Sequence, residues 1–155
     1  MLYLIGLGLS EKDISLKAFE ILNKVNEIYI DTYTNYFDFD LLWLEKALTK
    51  KLIPLSREDI EKSPTFLESA IIYDVALLVS GDPLVATTHT DILLRAIKKG
   101  VQTRVFHASS IYSAIAETGL HIYRFGKTAS IPYPEKNFFP KIGRAHVWTP
   151  VTEYD

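Results

Sequence analysis

The fold is decided by the run Val75-Ala76-Leu77-Leu78-Val79, which is followed directly by Ser80-Gly81-Asp82-Pro83. A short apolar run that ends at a turn signal predicts a strand buried on both faces, since a half-exposed strand would alternate. Gly81 permits a tight turn and Pro83 stiffens it. In open α/β sheets, ligands bind beyond the carboxyl ends of such strands. The stretch therefore predicts a central strand leading into a ligand-binding turn.

Outward from this strand, short apolar segments alternate with segments of helical periodicity. The predicted strands cover 2–7, 27–30, 52–55, 75–79 and 102–106, with Pro54 favouring an edge position for the third. The predicted helices run from Ser10 with Asp13 as a weak capping box, over 41–48 after Asp40, from Ser63-Pro64 to 73, over 90–99 before Gly100, and from Ser109-Ser110 to 117. This alternation predicts an α/β fold with a mainly parallel sheet flanked by helices.

The composition limits the class of protein. The 155 residues suit one domain, and 17 Lys and Arg against 19 Asp and Glu leave a net charge of -2, which gives no electrostatic reason to expect direct nucleic acid binding. The sequence has no cysteine, which excludes thiolate chemistry, and its four histidines lack ligand spacing, so no metal is expected. Because the start lacks a basic leader and no apolar run approaches a membrane span, we expect a cytoplasmic protein without a membrane partner.

Two segments at strand ends are candidate ligand sites. Gly6-Leu7-Gly8-Leu9 follows the first strand, where glycines let a ligand approach the backbone, but Glu11 replaces the third glycine of a dinucleotide fingerprint. Asp31, after the second strand, is not assured as a ribose partner, and a tight turn explains the glycines equally well. Asp82 can accept hydrogen bonds from a ligand or from its own turn.

Further candidates allow two interpretations each. Thr87, Thr88 and His89 are either ligand contacts or a helix cap. The small residues after His107 suit packing against a flat ligand, with helix capping by Ser110 as the alternative or as a second role. The aromatic and basic segment 118–127 either faces a macromolecular substrate or covers a sheet edge, and 56–59 reads as a solvated turn.

We interpret residues 142–155, at the end of the chain, as a segment that the natural gene does not encode. Its residues match, position by position, a common short-read sequencing adapter translated in one frame with TGA as Trp. The matching run is Ile142-Gly143-Arg144-Ala145-His146-Val147-Trp148-Thr149-Pro150-Val151-Thr152. We therefore expect 1–141 to be the native N-terminal domain and 142–155 a non-native tail, and we assign His146 and Trp148 no function.

The strand-end segments together resemble the diphthine synthases, a group within the tetrapyrrole methylase family. The Gly81-Asp82-Pro83 turn marks only the wider family, whereas its extension through His89 and the segment 119–123 are specific to the group. The segments that carry the resemblance are 4–9, 55–59, 81–89, 107–114, 118–123 and 133–135.

This resemblance implies a two-domain methyltransferase whose second domain is missing from this chain. S-adenosylmethionine would lie in the cleft between the domains, and the substrate would be the modified histidine of elongation factor 2, methylated on its amino group. The full-length protein is expected to form a homodimer, and this fragment to be inactive. The implied cofactor contacts are Leu9, Asp82, Val85, Ser110 and Ile111.

No catalytic residue is assigned, because in-line methyl transfer mainly requires alignment of a neutral amine with the methyl group. Two other functions stay open. One is a tetrapyrrole (precorrin-type) methylase, against which the extension through His89 argues. The other is a non-catalytic α/β ligand-binding module, in which Gly6 and Gly8 would cradle a phosphate.

Overall fold

The computed structural model describes residues 1–32, 40–62 and 64–126. Within these ranges five strands form one parallel sheet in the order β3-β2-β4-β1-β5. The strands are β1 (Leu2–Gly6), β2 (Glu27–Asp31), β3 (Leu52–Leu55), β4 (Val75–Val79) and β5 (Thr103–Phe106). The parallel α/β sheet predicted from the sequence is confirmed, and Pro54 lies in the edge strand β3. The proposed adapter tail, 142–155, lies outside the described residues.

Helices connect the strands and cover the sheet. They are α1 (Leu16–Lys24), α2 (Leu42–Leu48), α3 (Arg57–Glu61), α4 (Phe66–Ile72), α5 (His89–Lys98) and α6 (Ile111–Ala114), with 3-10 turns at Ile115–Thr118 and Ile122–Arg124. Met1–Leu120 forms one compact unit, and 121–126 are the described residues of a second unit that begins at His121. In that unit the Arg124 N–H donates to the carbonyl of His121 over 2.9 Å.

The core consists of two apolar layers separated by the sheet. All five residues of β4 are buried, and alternate side chains enter opposite layers, as the two-residue period of a strand requires. Val75, Leu77 and Val79 pack with α4 and α5, while Ala76 and Leu78 pack with α1 and α2. The apolar run that predicted a doubly covered central strand is confirmed.

One predicted helix boundary near the candidate site is wrong. Helix α1 begins at Leu16 with Ser15 as its cap, not at Ser10. Asp13 instead accepts hydrogen bonds from the backbone N–H groups of Leu9 and Ser10, which holds the preceding segment as a loop. A Ser-x-x-Asp pattern suits both arrangements, so the sequence alone does not separate them.

Two other segments differ from the prediction further from the site. Residues 56–59 are not a solvated turn but the start of α3, where Ser56 and Asp59 form a reciprocal capping box. Helix α4 begins at Phe66, later than the predicted start at Ser63-Pro64, and the Leu67 N–H donates to the carbonyl of Pro64.

Candidate functional site

The sheet has a topological switch point between β4 and β1. From β1 the chain moves to β2 on one side of the pair, and from β4 it moves to β5 on the other side. Connections that leave in opposite directions open a crevice beyond the carboxyl ends of the two strands, where ligands bind in open α/β sheets. The two segments predicted from the sequence, 6–9 and 80–89, both lie at this end of the sheet.

A cavity of about 310 Å³ lies at the switch point. Its volume is at the lower end of the range for small-molecule sites, roughly 300–1,000 Å³. The lining residues come from the segments after β1, β4 and β5, and they are Leu9, Ser80, Gly81, Asp82, Val85, Ala86, Thr87, Thr88, Ser110 and Ile111. The structure therefore brings together all five residues predicted as cofactor contacts, although they span more than 100 positions of the sequence.

Glycines allow the loops around this cavity to pack closely. Gly8 and Gly81 form an antiparallel bridge, with N–O distances of 3.2 and 2.8 Å. A Cβ atom on Gly6 would lie 2.5 Å from the Gly81 carbonyl oxygen, and one on Gly8 would lie 2.3 Å from the Cβ of Asp13. Gly8 also has a φ of +80°, a conformation that other residues adopt with strain. The tight-turn interpretation of these glycines thus holds, and the turn forms one side of the cavity.

Asp13 fixes the loop that presents Leu9. The Leu9 N–H donates to Asp13 Oδ2 and to Ser109 Oγ, both over 3.2 Å, and the Ser109 hydroxyl donates to Asp13 over 3.1 Å. Hydrogen bonds from Ser10, Ser109 and the nearby backbone keep the pKa of Asp13 below its usual value of 3.8. This role was not predictable from the sequence, because the partner Ser109 is 96 positions away.

Asp82 joins the turn after β4 to the segment after β5. Its Oδ1 accepts the Leu84 N–H over 2.9 Å, as in an Asx turn, and its Oδ2 accepts the Ala108 N–H over 3.2 Å. His107 Nδ1 donates to the same Oδ2 over 2.8 Å. The carboxylate of Asp82 is nearly buried and already bonded, so any contact with a ligand comes in addition to this structural role.

His89 does not line the cavity but lies behind it. Its side chain is fully buried at the start of α5, and Nε2 is 2.8 Å from Oδ2 of Asp31, which is also fully buried. Its Nδ1 is hydrogen-bonded to the hydroxyl of Thr87, which lines the cavity. Asp31 is therefore bonded to His89 within the protein, which argues against the ribose contact considered from the sequence.

Ser110 caps a helix and also lies at the cavity. It is the N-cap residue of α6, where the Ser110 N–H donates to the hydroxyl of Ser113 over 3.2 Å, and it also lines the cavity.

The chemistry of the cavity lining restricts the ligand. Within residues 1–32, 40–62 and 64–126, the lining includes the apolar Leu9, Val85 and Ile111, several hydroxyls and one carboxylate, but neither Lys nor Arg. A phosphate group would ordinarily be matched by a cation there, so a neutral or cationic nucleoside fits this lining better. S-adenosylmethionine, a nucleoside that carries a sulfonium cation, is compatible with these residues.

A second cavity, of about 510 Å³, is larger but lies on the helices. Its lining includes Lys62, Glu68, Arg95 and Lys99, and three of the cations are already paired with carboxylates of 58, 68 and 91. None of its lining residues follows the carboxyl end of a strand. We therefore place the candidate site in the smaller cavity.

The described residues contain neither a metal-binding cluster nor a helix that could cross a membrane. Over residues 1–32, 40–62 and 64–126, no group of three or more His, Asp or Glu residues is arranged to hold a metal ion. Within the same ranges, no helix has both the length and the apolarity that a membrane crossing requires.

Comparisons with known proteins agree with this geometry. The family described as Tetrapyrrole (Corrin/Porphyrin) Methylases matches residues 1–143. A diphthine synthase of Methanosphaera stadtmanae is 45% identical over 143 residues, covering 90% of this chain and 54% of the relative. A diphthine synthase of Methanocaldococcus jannaschii is 44% identical over 144 residues, covering 91% of this chain and 56% of the relative.

A crystal structure of a diphthine synthase superposes with a TM-score of 0.82 at 39% identity, covering 93% of this chain and 59% of the other. The chain thus spans about half the length of the curated relatives that it matches. The family match over residues 1–143, together with the strand order and the switch-point cavity, shows that the chain belongs to the tetrapyrrole methylase family.

Proposed function

We propose that the chain is the N-terminal part of a methyltransferase of diphthamide biosynthesis. The full-length enzyme would use S-adenosylmethionine to methylate the amino group of the modified histidine of elongation factor 2. The observation that carries this proposal is a switch-point cavity that is lined by all five expected cofactor contacts and that has no cationic side chain among the described residues. The identities of 45% and 44% to proteins named diphthine synthase support the choice of substrate.

The residues of this chain would bind and orient the cofactor. Leu9, Val85 and Ile111 offer apolar surface to the nucleoside, while Asp82 holds the two flanking segments in place and Ser110 offers a hydroxyl. When bound, S-adenosylmethionine supplies an activated methyl group on its sulfonium. The protein then contributes alignment with the amine and exclusion of water, which together account for much of the acceleration of such reactions.

The remaining part of the site would come from a second domain. Leu9 and Ile111 line the cavity but keep 43% and 55% of their surface exposed, as expected for residues that another surface covers. We therefore propose that the 155-residue chain does not methylate elongation factor 2 by itself. Detectable transfer of a labelled methyl group by this chain alone would contradict that statement.

We also propose that 142–155 is translated adapter and that 1–141 is native. The family match reaches only residue 143, which supports this boundary. Nucleotide reads across the junction test it directly, and native coding sequence without adapter at this point would refute it.

The full-length protein is proposed to be a cytoplasmic homodimer that acts on elongation factor 2 without binding nucleic acid. The net charge of -2 supports the proposal that the protein does not bind nucleic acid. Light scattering on the full-length protein would reveal a mass of two chains if the dimer forms, and a monomeric mass would refute it.

Calorimetry on the full-length protein tests the cofactor assignment. We expect binding of S-adenosylmethionine and no measurable binding of NAD or ATP, because the lining that the structure describes offers no cation to a phosphate. Selective binding of NAD or ATP would support the non-catalytic module instead. A methylation assay with modified elongation factor 2 and with a precorrin as substrates separates the two methylases.

A further inference from the structure

A chain of three hydrogen-bonded side chains leads from the cavity into the core. Thr87 is half-buried and lines the cavity, and its hydroxyl is bonded to Nδ1 of His89. Nε2 of His89 is 2.8 Å from Oδ2 of Asp31, and both of these side chains are fully buried. None of the three is among the five expected cofactor contacts, and the two buried ones, Asp31 and His89, do not line the cavity.

The partners determine which nitrogen of His89 carries the hydrogen. An ionised carboxylate only accepts hydrogen bonds, so the contact with Asp31 places the hydrogen on Nε2. Nδ1 of the neutral ring then has a free electron pair and accepts the hydrogen bond of the Thr87 hydroxyl. The Thr87 oxygen can in turn accept a hydrogen bond from a group in the cavity. The direction of these bonds is that of a serine–histidine–aspartate triad, with threonine at the outer position.

Stability alone does not explain this arrangement. Removing a histidine and a carboxylate from water is costly, and apolar residues of similar volume often stabilise a core as well or better. A hydroxyl bonded to an imidazole that is itself oriented by a carboxylate, beside a ligand cavity, is by contrast an arrangement found in active sites.

We propose that Thr87 and His89 take the proton from the amine that is methylated, with Asp31 as the residue that positions and stabilises His89. This proposal rests on the proposed function. An amine is protonated near neutral pH and attacks a methyl group only after it loses one proton. The hydrogen-bonded side chains of Thr87, His89 and Asp31, called the relay below, provide a path for that proton away from the cavity.

The proton transfer and the methyl transfer balance as follows. One N–H bond of the substrate ammonium breaks as its proton moves to the Thr87 oxygen, and the Thr87 proton moves to Nδ1 of His89, giving an imidazolium beside Asp31. The nitrogen electron pair then forms the new N–C bond, and the electrons of the broken C–S bond stay on sulfur. Between turnovers, His89 returns this proton through the Thr87 hydroxyl to water in the cavity.

The charges around His89 favour Asp31 as the group that stabilises the imidazolium. On α5 itself, Asp91 is paired with Arg95 at 2.6 Å. Across the cavity, Asp82 is paired with His107. Of the ionisable side chains that the structure describes, Asp31 on β2 is the one in direct contact with His89.

The activity test uses Thr87→Val in the full-length protein, because valine keeps the shape but cannot pass a proton. We expect kcat at about pH 7 to fall roughly 100-fold, within the usual range for general acid–base steps. At high pH, where the amine loses its proton in solution, the deficit should shrink to a few-fold. Thr87→Ser should restore most of the activity, and Thr90→Val, an exposed threonine on α5, is the matched control.

A merely structural role for Thr87 would lower kcat equally at every pH, and this result would overturn the relay. Full activity of Thr87→Val at neutral pH would also overturn it. If the unaltered full-length protein methylates no amine, the proposed function itself fails, so the two failures are distinguishable.

A second test needs no activity and uses the 155-residue chain. Imidazole nitrogen NMR on the ¹⁵N-histidine-labelled chain should show the His89 hydrogen on Nε2. In Thr87→Val the signal of Nδ1 should shift, because it loses its donor. A hydrogen fixed on Nδ1 would overturn the relay, because that nitrogen could not then accept a proton.

Discussion

Two histidine–aspartate pairs lie beside the same cavity, with the same 2.8 Å separation and different surroundings. His89 and Asp31 are both fully buried, whereas His107 keeps 68% of its side chain exposed and its partner Asp82 keeps 7%. Solvent screens the His107–Asp82 pair. In the His89–Asp31 pair both side chains have lost their hydration, so the hydrogen bond between them matters more. Equal distances therefore do not imply equal contributions to stability.

The difference also separates what each pair does. The His107–Asp82 pair belongs to a network in which Asp82 accepts two backbone N–H groups and joins two loops. The His89–Asp31 pair joins the end of β2 to the start of α5, and its outer partner is Thr87. The exposed pair thus supports the shape of the cavity, and the buried pair connects the cavity to the core.

The largest effect is expected from breaking the buried pair. His89→Ala leaves the carboxylate of Asp31 buried without the histidine, and loss of one partner of a buried pair costs about 3–5 kcal/mol of unfolding free energy. Urea unfolding followed by circular dichroism measures this change. His121→Ala, at an exposed histidine, is the control and should stay within roughly 0.5 kcal/mol of the unaltered chain. An equally small change for His89→Ala would contradict the ranking.

The carboxylate of the exposed pair should come second. Asp82→Ala leaves the N–H groups of Leu84 and Ala108 without their acceptor, and unsatisfied groups of this kind cost about 1–3 kcal/mol each when water cannot reach them. We expect the unfolding free energy to fall by an amount near the lower end of this range, because these hydrogen bonds are only partly buried. The same urea experiment measures it, and a loss larger than that of His89→Ala would reverse the comparison.

The histidine of the exposed pair should matter less than its carboxylate. His107→Ala removes one solvent-screened partner and leaves the two backbone hydrogen bonds of Asp82 in place. We expect a change below about 1 kcal/mol in the midpoint-derived unfolding free energy. If His107→Ala and Asp82→Ala were equally destabilising, the backbone bonds of Asp82 would not be the main contribution.

The smallest effect concerns Asp13, a carboxylate that is hydrogen-bonded to Leu9 and Ser109 beside the cavity. Hydrogen bonding lowers its pKa below 3.8 in the folded chain, so its contribution to stability is present above pH 3.8 and is lost as pH falls through the lower, folded value. Unfolding free energies measured across that acid range should show a loss that Asp13→Asn removes. An identical acid profile for the variant would exclude this contribution.

The sequence determines the central elements of this fold more clearly than its long-range polar contacts. β4 was predictable because an apolar run without alternation has few other interpretations, and the resemblance supplied the five cavity residues. The Asp31–His89 contact was not predictable from the sequence, because the two residues are 58 positions apart and come together through the pairing of β2 with β4. The start of α1 was missed because Asp13 bonds backwards to a loop instead of capping a helix.

The central claim is that segments at the ends of β1, β4 and β5 hold a sulfonium nucleoside, and a crystal structure of the full-length protein with S-adenosylhomocysteine tests it most directly. We predict that the nucleoside lies in the switch-point cavity, in van der Waals contact with Leu9, Val85 and Ile111. A ligand bound anywhere else on the protein, with that cavity empty, would contradict the account.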